Sequence, residues 1–87
     1  MHDHRKFFPV DVKAYSGYKA EEYPVAFYYQ DTYYTVDEIV DRWYEGGAVS
    51  FRPVVNYFKI LTDEKEFLLR YHPVAGIWEI CDLNLNS

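Results

Sequence analysis

Between Tyr57 and Leu83, apolar side chains recur at every second position. Phe58 and Ile60, Leu69 and Tyr71, and Trp78 and Ile80 alternate with Lys59, Arg70 and Glu79. A period of two marks strands with one buried face. Asp63-Glu64-Lys65-Glu66 and Pro73-Val74-Ala75-Gly76 break the segment into strands Tyr57–Thr62, Phe67–His72 and Ile77–Leu83. With four-residue turns, Tyr71 lies opposite Trp78 and Leu69 opposite Ile80, while Phe58 and Ile60 join them from the next strand. All six then share one face, and a slip of one residue would throw the set into solvent. On the reverse face the same register sets Lys59, Arg70 and Glu79 in a row. Arg70–Glu79 becomes a cross-strand ion pair, worth roughly 0.2–1 kcal/mol.

The N-terminal half carries a weaker version of the pattern. Phe8, Val10, Val12 and Ala14 alternate with Asp11, Lys13 and Tyr15, a first strand ended by Ser16-Gly17. Pro24 opens a second, a position where a missing N–H is tolerated. Val25, Phe27 and Tyr29 form one face of it, and Ala26, Tyr28 and Gln30 the other. Gln30-Asp31-Thr32 turns the chain into Tyr33-Tyr34-Thr35-Val36. Next, Val36, Ile39, Val40, Trp43 and Tyr44 fall at helical spacing, and Asp37, Glu38, Asp41, Arg42 and Glu45 fill the other side. Thr35 with Glu38 matches a capping box, and Gly46-Gly47 would stop a helix. This pattern predicts one short helix over 36–45. A bulged strand, with Val36, Ile39 and Trp43 on one side, is the alternative.

The chain has 87 residues, enough for one domain, with 1–6 and 84–87 expected to fray. A domain of this size buries only about 60–65% of its unfolded surface. Ten Tyr, six Phe and two Trp offset that with bulk. The expected fold is mainly β: a five- to six-stranded antiparallel meander curled into an open SH3-like barrel, because one flat sheet would leave too many aromatics wet. The net charge of −5 opposes a protein built to neutralise phosphates. Cys81 is the single cysteine, there is no signal-peptide pattern, and no apolar run nears the ~20 residues that span a bilayer. The expected location is the cytoplasm, with no membrane association.

The spacing Pro24-x-x-Phe27, Tyr34-x-Val36-x-x-Ile39-x-Asp41-Arg42-Trp43, Tyr57-Phe58-Lys59-Ile60 and Gly76-Ile77-Trp78 resembles a family of small, largely actinobacterial domains of unknown function. Some of those domains are encoded near Y-family polymerase-like proteins. The resemblance covers roughly residues 23–83. It implies a compact β-rich fold, favours strand over Val36–Trp43, and carries no catalytic residues. This chain departs from the family in being acidic where many relatives are Arg-rich. Gly46-Gly47-Ala48 also stands where they tend to carry tryptophans.

No catalytic apparatus is legible. His2, Asp3 and His4 are close together but terminal, so they are read as a solvated start and not as a metal site. His72, before Pro73, reads as a turn residue near Arg70 and Glu79, with no nucleophile placed beside it. Cys81 has Glu79 and Asp82 near it in sequence, which would raise a thiol pKa, so it reads as a packed apolar residue. Asp37, Glu38, Asp41 and Glu45 form an acidic ridge that reads as a wet face. Gly46-Gly47 lacks the Lys-Ser/Thr of a phosphate loop. The aromatics exceed what a small core needs. Tyr28 and Tyr29 point to opposite faces, as do Tyr33 and Tyr34, so some of Tyr15, Tyr18, Tyr28, Tyr33 and Tyr44 must reach the surface.

The expected function is a non-enzymatic module, without cofactor or metal, that binds a protein or peptide on an aromatic face. Tyr15, Tyr28, Tyr33 and Tyr44 would form that face, tuned by Lys59, Arg70 and Glu79. One alternative is a single-stranded nucleic-acid binder stacking bases on the aromatics, which the net charge disfavours. The other is a structural homodimer through an unpaired sheet edge.

Overall fold

A computed structural model of the chain describes residues 5–16, 22–47 and 51–84. Its regular elements are all strands: β1 (Phe8–Pro9), β2 (Asp11–Ser16), β3 (Glu22–Tyr29), β4 (Thr32–Thr35), β5 (Glu38–Gly47), β6 (Arg52–Thr62), β7 (Lys65–His72) and β8 (Ile77–Asp82). They form two antiparallel sheets, one in the order β1-β8-β7-β6-β5 and one in the order β2-β3-β4. The expected mainly β, antiparallel fold holds. Its strands are shared between two sheets, which do not close into a barrel. Each sheet has one apolar face, and facing sheets cover each other without closure. Among the described residues no helix is long and apolar enough to cross a membrane.

The chain changes sheets twice. The alternation from Phe8 to Tyr15 does not give one strand. Phe8 and Pro9 pair with Ile80 and Glu79, whereas Asp11–Ser16 pair with β3. Val10 is the corner, its N–H donating to the Trp78 carbonyl at 3.1 Å. The second crossing follows β4. Val36 N–H still reaches Val25 in the smaller sheet, and Asp37 N–H already reaches Leu61 in the larger one, both at 2.9 Å. The Thr62 hydroxyl, buried, donates to the Thr35 carbonyl across the same junction.

The helix predicted over 36–45 does not form; Val36 and Asp37 lie in the crossing between the sheets and 38–45 lie in strand β5. As a strand they pair with β6 from Glu38 to Gly47, whereas so short a helix would hold few hydrogen bonds. The helical spacing is the trace of a bulge at Val40, between the pairs Ile39–Ile60 and Asp41–Lys59. Val36 and Ile39 pack on the core. Trp43 pairs with Tyr57 and so points to the opposite, outward face.

Gln30 and Asp31, with φ of +51° and +63°, make a two-residue hairpin turn whose twist suits the strands. Asp63 and Glu64, at +49° and +63°, make another where four residues were expected. The β6–β7 register is therefore displaced by two residues, with Phe58 opposite Leu69 and Ile60 opposite Phe67. A displacement of two keeps every side chain on its face. The second turn keeps its four residues, so Tyr71 faces Trp78 and Leu69 faces Ile80 as expected.

The core is Phe27, Phe58, Ile60, Phe67, Leu69, Trp78 and Ile80, with Tyr71 packed at its rim. Phe67 is its hub. Its ring centroid lies 5.3 Å from Phe27, 5.5 Å from Tyr29 and 5.3 Å from Tyr34, all three on the smaller sheet. These contacts hold the two sheets together.

Candidate binding site

The residues of the larger sheet that alternate with the core strands point away from the smaller sheet. Register places Trp43, Tyr57, Arg70, Glu79 and Pro9 in one row across all five strands. The Trp43 and Tyr57 rings are parallel to within 2°, with centroids 5.2 Å apart. Phe7 meets Tyr57 edge-on at 6.3 Å, and its face carries the Arg70 guanidinium at 3.8 Å. Trp43 Nε1 donates to Glu45 Oε2 at 3.3 Å. These groups border a cleft of about 300 Å³ whose floor includes the buried Leu68.

The charges at the closed end of the row are held in place. Arg70 Nε donates to Glu79 Oε1 at 2.6 Å, and His72 Nε2 lies 2.8 Å from the same oxygen. Burial pushes the Glu79 carboxyl up, but hydrogen bonds from His72 and Arg70 outweigh it and leave the pKa below the usual value. Burial lowers the Arg70 pKa, yet its hydrogen bonds to Glu79 and Tyr57 raise it overall. The cleft thus offers a flat aromatic platform between a fixed guanidinium and the Glu45 carboxylate. Such a site suits stacking and hydrogen bonding to a partner's side chains or backbone.

Comparison with family models, with curated proteins and with solved structures finds no match for this chain. The geometry of the site therefore carries its interpretation.

The residues named from sequence are divided among several places. Tyr28 and Tyr33 are cross-strand neighbours with rings 4.8 Å apart, both exposed on the outer side of the smaller sheet. Tyr15, beyond a bulge in β3, meets Tyr23 at 5.5 Å. Tyr44 stands apart on the larger sheet, opposite Asn56. The four tyrosines do not make one face. Arg70 and Glu79 pair as expected, but Lys59 falls outside their row, because the shorter turn sets it opposite Leu68 and Asp41. Cys81 is buried beside Leu68. His72 is bonded to Glu79. The acidic ridge has local duties: Asp37 accepts from the Asp63 N–H, and Asp41 from the Arg42 N–H, both at 2.9 Å. Gly46, expected in a turn, instead lies within β5 as the bulged residue between the pairs Glu45–Val55 and Gly47–Arg52; at φ +85° its Cβ would strike the Pro53 carbonyl. His2, Asp3, His4 and Tyr18 lie outside the described residues. Among the described residues no three His, Cys, Asp or Glu side chains group to hold a metal.

Sequence reasoning missed Phe7, Trp43 and Tyr57. Alternation with Phe58 already sent Tyr57 outward, but Trp43 was masked by its helical spacing.

Proposed function

We propose that this domain is a non-enzymatic binding module that holds a protein or peptide partner on the outward face of the larger sheet. The cleft between Phe7, Trp43, Tyr57 and Arg70 carries the reading. Aromatic and arginine side chains in partly desolvated pockets supply most of the energy in such interfaces. The location proposed for it is the cytoplasm, on the strength of the lone buried thiol of Cys81.

The test is an affinity measurement against a partner co-purified from the source cells. Replacing Trp43 and Tyr57 together by Ser is expected to weaken binding at least ~30-fold, the loss of a hot spot. Replacing Tyr28 and Tyr33 by Ser, on the other side of the molecule, is expected to leave it unchanged. The reverse outcome transfers the site to the smaller sheet.

A second reading, a single-stranded nucleic-acid accessory protein, draws support from the parallel Trp43 and Tyr57 rings beside Arg70. The resemblance to domains encoded near polymerase-like proteins points the same way. The net charge of −5 and the nearby Glu45 and Glu79 oppose it. A labelled oligonucleotide titrated at two salt concentrations separates the two, since phosphate contacts weaken steeply with salt.

A further inference from the structure

The segment ahead of β2 lies across the outward face of the larger sheet and reaches into the aromatic cleft. β1 pairs Phe8 with Ile80 and Pro9 with Glu79, at the edge of that sheet. From there the chain carries Phe7 over β7 and β6. Phe7 is half-buried, edge-on to Tyr57 at 6.3 Å and with the Arg70 guanidinium over its face at 3.8 Å. Arg5 lines the same cleft as Glu45, and Lys6 does not. An extended chain sends every second side chain to one side in this way. Leu68 alternates with the core residue Leu69 and so points outward, yet it is buried. Arg5 and Phe7 are among the side chains that line the cleft with it.

The backbone holds this segment lightly. β1 is two residues long, and Pro9 has no N–H to give to the ladder. The bond from the Val10 N–H to the Trp78 carbonyl fixes the corner behind the segment and does not depend on residues 5–7. A stretch with few backbone bonds opens at a small fraction of the cost of unfolding the domain. What seats it is side-chain chemistry: a ring between an arginine and a tyrosine, and a cation in a cleft that also holds a carboxylate. Another chain can supply the same groups.

We propose that Arg5–Phe7 is a built-in occupant of the cleft, displaced by a partner peptide of the same chemistry: a basic residue followed two places on by an aromatic one. The partner's ring takes the place of Phe7 between Tyr57 and Arg70, and its cation replaces Arg5 on the side of Glu45. The net charge of −5 draws a basic segment from a distance. The inference rests on the reading of the cleft as a peptide site and adds which peptide it takes. A fixed wall and an occupant differ in sign: removing a wall weakens binding, and removing an occupant strengthens it.

A peptide copying residues 5–10, labelled with fluorescein at its C-terminus, is titrated with the full chain and with its Phe7→Ala variant, and binding is read by anisotropy. The variant is expected to bind at least about tenfold tighter, as when a seated segment leaves the cleft open less than a tenth of the time. Arg5→Glu, at an exposed position, loosens the segment through charge, leaves Phe7 in place and should shift affinity in the same direction. In the Phe7→Ala background, a peptide with alanine in place of its first phenylalanine is expected to bind at least about tenfold more weakly. Adding Trp43→Ser and Tyr57→Ser to that background should abolish binding of the parent peptide. Peptide affinity that is unchanged or weaker in both Phe7→Ala and Arg5→Glu would overturn the proposal; it would leave the cleft itself standing, which the co-purified partner tests separately. Peptide binding that survives the loss of Trp43 and Tyr57 would overturn it too, since the peptide then sits elsewhere. A dimer of the full chain that Phe7→Ala dissolves would likewise overturn it, by assigning the cleft to the segment of a second copy.

Discussion

Arg70 is gripped from three sides: by the Glu79 carboxylate, by the Tyr57 hydroxyl and by the face of Phe7. Only a planar guanidinium can present an edge to a carboxylate and a face to a ring at once, so lysine would not replace it. Glu79 in turn serves both Arg70 and His72 through one oxygen. Those bonds hold its pKa below the value of about 4.3 that a glutamate has in an unfolded chain. Its contribution to stability is therefore fully present above that value and is lost as pH falls through the lower, folded-state value. Urea unfolding of Glu79→Gln is expected to show lower stability than the parent at pH 7, with the gap closing between about pH 5 and pH 2. Parallel curves over that range would show that the carboxylate has no such role. This row was half legible. Alternation revealed Arg70 and Glu79, but Phe7 precedes the first strand, and nothing in its neighbourhood in the sequence says that it folds back over Arg70.

At the scale of elements, hairpin turns decide which residues meet. The Asp63–Glu64 turn holds two non-glycine residues at positive φ, a conformation that glycine adopts at far lower cost. Glu64→Gly is expected to stabilise the domain by about 0.5–1 kcal/mol, since relief of the left-handed strain outweighs the entropy glycine adds to the unfolded chain. Thermal unfolding would register this as a rise of roughly 2–8 °C; a fall would mean that the turn is not strained. The facing of Phe58, Ile60, Leu69, Trp78 and Ile80 was legible because it depends only on parity. The partner of Lys59 was not, because it depends on turn length. Strand β5 was obscured by its own bulge at Val40, which mimics a helical period. The same bulge protects the free edge of the larger sheet, helped by Asp41, whose carboxylate occupies the Arg42 N–H. An edge treated in this way resists pairing with another strand, which argues against a homodimer formed through β5.

At the scale of the whole molecule, one shared core holds two sheets, and Phe67 touches the smaller sheet through three aromatic rings. Phe67→Ala is expected to cost about 3–5 kcal/mol, a large part of the stability of a domain this small. Circular dichroism and tryptophan emission should still report one coincident transition. Two separated transitions would show that the sheets unfold independently. The partition into sheets was not legible, because both crossings depend on distant backbone bonds, from Val10 to Trp78 and from Asp37 to Leu61. Those crossings bracket an uninterrupted strip of chain, 11–36, which contains all of β2, β3 and β4. A visor fixed at both temples has no half-raised position. The strip cannot swing aside on one hinge to admit a guest to the apolar interior, so whatever this molecule captures must be caught on its outer surfaces or at the rim where the two layers meet.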